Sequence, residues 1–351
     1  MTSFESFSTV PSVAPEQRRT YTEGMRTKTI IETTPLDSGS VNKVFVVTYR
    51  DGSKGIYKPK IGEEPDMRTY IPEGTYYLRE RAAYEIDKFL GLGLVPPTVV
   101  RDTGVAAGVG SVQRMEQVLF YEDAMEKFKE DAPGINAARD DELDASDNLA
   151  RVRSQYDALE IKKQKGLAGA DVDTELSRLA GELDQLRESL AASQRLVQEI
   201  EAEAVKHFEE FYSSGLKKLW LFDLMIHNTD RHSGNFFLSE NGSAIAIDNG
   251  FCFNGTEFRL FKTFFGEKVP AEIAAPIVAL DKRPGWENEL KAKLNGLLSP
   301  QEIDNCILRI TRVKEFLAND GIIPAPKKIG KYSISSSDMT YFDCYQTEEY
   351  N

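Results

Sequence analysis

The sequence predicts an α+β protein: an antiparallel sheet comes first, a charged helical insertion follows, and a largely helical unit closes the chain. Three observations carry that expectation. Residues 41–58 read as two β-branched and aromatic runs around the turn dipeptide Asp51-Gly52. Residues 122–210 hold only Phe128, Tyr156 and Phe208 as aromatics, so they build no ordinary core. Phe208 to Ile226 is apolar nearly all round, as a helix buried in a domain is. With 351 residues there is room for about two compact units.

Charge sharpens the division. The chain has 43 Lys and Arg against 56 Asp and Glu, a formal charge of −13, which argues against nucleic acid as a partner. Residues 122–210 contain 23 acidic and 12 basic side chains, so most of the imbalance belongs to that stretch. Cys252, Cys306 and Cys344 lie far apart, with no C-x-x-C pair, which suggests neither a zinc clip nor a disulfide framework. No basic start precedes an apolar run, and Leu219 to Ile226 is interrupted by Asp223 and too short to span a bilayer. A cytoplasmic protein without a stable membrane anchor is expected.

Taken in order, residues 1–27 lack periodicity and read as a flexible arm, with order beginning near Thr29. Residues 28–121 form the first unit. After the hairpin, Tyr76 to Leu90 places apolar residues on one helical face, and Gly91 and Gly93 stop it; Thr98–Arg101 and Gly110–Val118 read as extended. Within 122–205, Leu149, Val152, Tyr156 and Leu159 keep helical spacing, Gly166 and Gly169 interrupt it, and Leu176 to Ile200 resume it. An antiparallel α-helical coiled-coil hairpin is the economical reading, serving as a docking or regulatory arm. The second unit, 206–323, has helical patterns at 271–281, 286–297 and 300–319, and residues 324–351 form a Ser- and Tyr-rich tail.

The segment His227 to Gly250 carries the chemistry. Asn241-Gly242 is a strong hairpin signal, and a two-residue loop there would set Phe236 opposite Ile247, Leu238 opposite Ile245 and Asn235 opposite Asp248. An amide and a carboxylate so opposed could share one Mg²⁺. Asp230 precedes Asn235 by the spacing of the D-x-x-x-x-N phosphoryl-transfer loop, and Asp248 takes the place of the metal-binding Asp of D-F-G. Singly, Asp230 and Asp248 read as turn residues; the joint spacing favours a site. His232 is a candidate for touching a transferring phosphate, or a satisfied loop histidine. Arg231 is expected to orient loop carboxylates, His207 and His227 to be structural, and Trp220 and Trp286 to be core.

Upstream, Lys58 ends a strand before Pro59 and is a candidate phosphate ligand. Glu80 on the following helix is its expected ion-pair partner, with Glu85 as competitor. Ser38, Gly39 and Ser40 could offer backbone amides to phosphate, although no Walker or complete G-x-G-x-x-G pattern is present.

At these residues the chain resembles the phosphatidylinositol 3- and 4-kinase superfamily, most closely the type II phosphatidylinositol 4-kinases and their bacterial relatives. The resemblance rests on Tyr57-Lys58-Pro59-Lys60 with Glu63-Glu64-Pro65, on Tyr77-Leu78-Arg79-Glu80 with Leu94-Val95-Pro96 and Thr98, and on Asn228-Thr-Asp-Arg231 with Ile247-Asp-Asn-Gly250. It covers residues 38–120 and 206–255. It implies a bilobal protein-kinase-like fold, with an antiparallel-sheet N-lobe and a helical C-lobe, and the use of ATP and Mg²⁺. Asp230 would be the base, Asn235 and Asp248 would hold metal, and Lys58 paired to Glu80 would hold phosphate. Residues 61–76 contain no cysteine, unlike the palmitoylated segment of the type II lipid kinases, and an acidic chain meets anionic membranes poorly. The expected acceptor is therefore a protein hydroxyl. The rivals are a phosphoinositide kinase, a silent kinase-like scaffold, and a nucleotidyl transferase using the same metal cradle.

Overall fold

The computed structural model describes residues 22–36, 42–64, 69–104, 108–116, 119–167, 169, 171–254, 264 and 266–323. Two compact units emerge: Glu122–Phe211 form one, and the described residues before and after that stretch form the other. Helix and sheet are mixed, as an α+β chain requires.

In the larger unit, five strands make one antiparallel sheet: β1 (Ile30–Pro35), β2 (Phe45–Tyr49), β3 (Lys54–Pro59), β4 (Thr98–Asp102) and β5 (Val109–Arg114), in the order β1-β2-β3-β5-β4. The β2–β3 hairpin closes where Asp51-Gly52 lies, with the Gly52 N–H donating to the Tyr49 carbonyl at 2.9 Å. Alternation sends Val47, Tyr49, Tyr57, Val99 and Val112 to one face, where they pack with Met25. Met25 belongs to α1 (residues 22–27). Order therefore begins before Thr29, and the last residues of the expected 1–27 arm are helical. The reason is burial: Met25 is fully enclosed, worth about 1.5–3 kcal/mol for a side chain of that size.

Helix α2 (Tyr76–Leu90) packs against β4 and β5 and ends at Gly91, whose φ of 69° is the left-handed conformation that stops a helix. At the other end of the chain, α6 (Ala271–Val278) and α7 (Trp286–Leu294) pack on α8 (Pro300–Asn319), which opens with a Ser299/Glu302 capping box. Helices α6 and α7 stop short of the expected 281 and 297, the first passing into a 3-10 turn over Ala279–Lys282. Trp220 and Trp286 are both buried.

The smaller unit is helical, built from α3 (Tyr121–Glu130), α4 (Ile135–Gln164) and most of α5 (Val172–Ile226). Ile135 and Ala138 pack with Val197 and Ile200, while Val152 and Tyr156 pack with Leu179, Leu183 and Leu186. Early α4 thus meets late α5, an antiparallel pairing whose link contains Gly166 at a φ of 66°. The expected break between an insertion ending at 205 and a separate buried helix is absent: α5 runs for 55 residues without interruption. Its apolar pattern changes from a stripe to an all-round distribution, but nothing between Glu201 and Phe208 stops a helix.

Past α5 comes a two-stranded hairpin of β6 (Phe236–Leu238) and β7 (Ala244–Ala246). Its register differs by one from expectation: Phe236 opposes Ala246, Phe237 opposes Ile245 and Leu238 opposes Ala244. The loop holds three residues rather than two, because the Ser239 N–H closes on the Ser243 carbonyl and Gly242 takes a φ of 81°. A slip of one residue reverses a strand's faces, so Ala244 and Ala246 are buried while Ile245 and Ile247 are only half-buried. The turn is pressed against α5: a Cβ on Gly215 would lie 2.4 Å from the Gly242 carbonyl oxygen, so a glycine is required there.

Candidate active site

Strand β3 points Tyr57 into the sheet core and Lys58 to the opposite face. Lys58 pairs with Ser111 across the sheet, and β5 approaches closely enough that a Cβ on Gly110 would meet the Lys58 carbonyl oxygen at 2.3 Å. Lys58 Nζ donates to Glu80 Oε1 at 2.5 Å and to Asp248 Oδ1 at 2.9 Å. The other Glu80 oxygen, Oε2, accepts the Asn249 N–H at 3.1 Å. Glu80 is therefore the carboxylate that joins β3, α2 and the segment after β7, while Glu85 pairs with Arg81. Burial opposes the charge on Lys58, yet the carboxylates of Asp248 and Glu80 hold its pKa above the ordinary lysine value.

Several contacts fix α2 so that Glu80 meets Lys58. The Glu63 carboxylate accepts the N–H groups of Tyr76 at 3.1 Å and Tyr77 at 2.7 Å, satisfying open donors at the helix start. Buried Arg79 donates to the Cys252 carbonyl at 2.5 Å and to Glu302 of α8. Asp87, fully buried, accepts the Leu94 N–H at 2.8 Å.

Helix α5 delivers the second part of the site. It ends at Ile226, and His227 turns the chain with a φ of 51°. The Asn228 side chain accepts the Asp230 N–H at 2.8 Å and donates to Asp223 at 3.2 Å, so the Asx turn belongs to Asn228 rather than to Asp230. Arg231 is the hub. Its guanidinium donates to both Asp223 oxygens, to the carbonyls of Asn235 and Ile247, and to Asn249 Oδ1. Burial pushes the Asp223 carboxyl up from its ordinary value and the Arg231 charge pulls against that.

Asn235 is buried and its Nδ2 donates to the Asp230 carbonyl at 2.9 Å, leaving Oδ1 as the atom that could serve a cation. It does not face Asp248 across the hairpin: the Ile247 N–H donates to the Asn235 carbonyl at 3.2 Å, as the three-residue loop requires. Asp248 lies one residue beyond that pairing, at a φ of 52° that a non-glycine residue adopts at a cost. Its side chain is 41% exposed. Burial acts to raise its pKa, but Lys58, followed by Arg231 and His232, brings it below the usual carboxylate range. His232 is exposed, and its Nδ1 accepts the Gly234 N–H at 3.1 Å, capping the 3-10 turn over Ser233–Asn235.

The structure thus joins Lys58, Glu80 and Asp248 by direct contact, and Asp230 and Asn235 through the loop backbone. Ser38, Gly39 and Ser40 lie outside the described residues. Asp223, Asn249, Glu63 and Glu302 were not anticipated as partners. Asp223 had a visible signal, a carboxylate inside an apolar helix, which needs a buried cation. No group of three His, Cys, Asp or Glu side chains suited to a metal occurs among the described residues. Mg²⁺ asks for less, one or two protein oxygens beside phosphate oxygens, and the Asp248 carboxylate with the Asn235 amide fits that donor set.

Residues 180–293, about a third of the chain, match the family model described as phosphatidylinositol 3- and 4-kinase. This stretch is phosphatidylinositol 3- and 4-kinase-like. The matched span of this kinase model holds Asp223, the 227–235 loop and Asp248, whereas Lys58 and Glu80 lie upstream of it. The chain is also similar to Protein Rv2133c of Mycobacterium tuberculosis (strain ATCC 25618 / H37Rv), at 24% identity over 277 residues, covering 77% of this chain and 78% of that one. The match agrees with the resemblance read from the motifs between residues 206 and 255, while the motifs at 57–65 and 77–98 lie outside it.

Proposed function

We propose that the protein is an ATP- and Mg²⁺-dependent phosphotransferase that phosphorylates a protein hydroxyl. The observation that carries this reading is the double contact of Lys58, with Glu80 on one side and Asp248 on the other. On this reading residues 28–121 and 206–323 are the N- and C-lobes of a protein-kinase-like fold most like the type II phosphatidylinositol 4-kinases, in a cytoplasmic protein. Residues 122–205 are a coiled-coil hairpin that docks a partner.

Lys58 would hold α- and β-phosphate oxygens, kept in place by Glu80. Asp248 and Asn235 would hold Mg²⁺, which when bound neutralises the triphosphate charge. To do so Asp248 must exchange its Lys58 partner, and a side chain 41% exposed is placed for that exchange. Asp230 would orient the acceptor hydroxyl and take its proton, with its position set by the Asn228 side chain. His232, exposed beside this loop, would lie near the transferring group.

The formal charge of −13 favours a protein acceptor over an anionic lipid surface, and no helix among the described residues is long and apolar enough to cross a membrane. Parallel incubations with ATP labelled at the γ- or the α-phosphate, over lysate proteins and over phosphoinositide vesicles, test the reading. Label from γ-phosphate on protein is expected. Vesicle labelling without protein labelling would give the lipid reading instead, and α-label transfer would give nucleotidyl transfer.

A further inference from the structure

The face of α2 that carries Arg81 and Glu85 borders a cavity of about 270 Å³, walled by α1, α2 and α7. Four cations line it, Arg26, Arg81, Lys88 and Lys293, against two carboxylates, Glu23 and Glu85. None of these residues belongs to the candidate active site. In a chain of net charge −13, a concave surface with two cations in excess is an exception to the composition. Concave, partly dry walls strengthen such a field.

The cations are unequally served. Arg81 is buried and committed, donating to the Thr98 carbonyl and to Glu85. Lys293 has Glu289 at 3.8 Å, a loose pair between exposed side chains. Arg26 makes no ion pair among the described residues, and it shares the lining of the cavity with Arg81. Burial lowers the Arg81 pKa, Glu85 opposes that, and the like charge of Arg26 adds to the lowering. Two guanidinium groups that repel across a shared cavity are relieved by an anion that bridges them, and guanidinium suits phosphate oxygens in a bidentate manner.

We propose that this cavity binds a small soluble anion bearing phosphate groups, held between Arg26 and Arg81 with Lys88 and Lys293 completing the cradle. The proposal goes beyond the phosphotransferase reading and does not depend on it. Because Arg81 adjoins Glu80 in α2, occupancy would also steady the helix that carries the Lys58 partner.

Inorganic pyrophosphate is a suitable probe, since it brings more charge and more acceptor oxygens to four cations than a single phosphate does. Titration of the full chain in Mg²⁺-free buffer should give saturable binding, weakened at least fivefold in the double variant Arg26→Ala with Lys293→Ala. The charge-preserving pair Arg26→Lys with Lys293→Arg should bind more tightly than the alanine pair but more weakly than the unaltered chain, since both charges are kept while an ammonium at 26 loses the guanidinium's two-pronged grip on phosphate oxygens. Amide hydrogen exchange on the unaltered chain supplies the location whatever the variants do: protection should appear at residues 22–27, in α2 and in α7. Absence of saturable binding, equal affinity in the alanine variant, or protection confined to residues 54–59 and 245–250 would overturn the proposal.

Discussion

Two arginines in this protein are each held by carboxylates, with opposite settings. Arg231 has no exposed side-chain surface and meets an Asp223 that is 3% exposed, beside two carbonyls and an amide oxygen. Arg178, on the helical pair of the smaller unit, reaches Glu175 at 2.7 Å and Glu182 at 2.8 Å with more than half its side chain in water. Distances alone would rank them equal. What separates them is what removal leaves behind: in one case a buried carboxylate with no counter-charge, in the other two carboxylates that water already serves. The Lys58, Glu80 and Asp248 group falls between, with Glu80 buried and Asp248 open. That intermediate setting suits groups that must stay in place and still change partners.

The largest effect is expected at the buried hub. Arg231→Met should destabilise the fold by about 3–5 kcal/mol, because Asp223 loses its cation in a place water does not reach. Urea unfolding measures it. Adding Asp223→Leu to that variant should recover part of the loss, since the stranded charge is then gone; a double variant no better than the single one would show that Arg231 acts through its carbonyl contacts instead.

Next comes Asp248→Asn. Phosphate transfer from ATP should fall at least about 100-fold, for loss of a metal-ligating charge. The unfolding midpoint without nucleotide should move little, because the side chain is partly open to solvent and Glu80 keeps its contact with Lys58. Turnover like that of the unaltered chain would remove Asp248 from the site. A large loss of stability would move it into the same class as Asp223.

Acid should separate the settings again, at Glu302. Burial works to raise its pKa, but Arg79, followed by the Ser299 contacts, brings it below the ordinary 4.5. A carboxylate whose folded pKa is depressed adds stability above its unfolded pKa, and that contribution is lost as pH falls through the folded value. Thermal midpoints recorded from about pH 6 down to about pH 3 should therefore drop, and Glu302→Gln should flatten part of that drop while lowering the midpoint at neutral pH. An identical pH profile in the variant would mean that the Arg79 contact carries no linkage.

How much of this was legible in sequence follows from the range of the forces involved. The turn between β2 and β3, strand β3 and helix α2 were readable to within a residue because turn dipeptide, alternation and glycine stop act locally, although β2 begins at Phe45 rather than at 41. The pairing of Asn235 was not: a third loop residue at Asn241-Gly242, invisible in a dipeptide signal, shifts every facing pair by one. Nor did local pattern reveal that α5 is continuous, since its apolar periodicity changes without a stop. The contacts of Arg79 with Cys252 and Glu302 span 173 and 223 residues, where no spacing rule reaches, and those of Arg231 with Asp223, Ile247 and Asn249 pass from one element to the next. Only an isolated charge in an apolar run, Asp223, hinted at such a partner.

The smallest effect is expected at Arg178. Its contacts with Glu175 and Glu182 are one helical turn away on either side, so the pairing is local and survives only while α5 is already helical. Both carboxylates and the guanidinium are hydrated before and after the pair forms, and ordering three long side chains opposes the attraction. Alanine is also a better helix former than arginine, which acts in the opposite direction to the lost contacts. Arg178→Ala should therefore leave the thermal midpoint unchanged within measurement error, and raising the salt concentration should not separate the variant from the unaltered chain. A clear drop in the midpoint, abolished by salt, would show that the exposed ion pairs along α5 act as a network, and the contrast with Arg231 would then be one of degree.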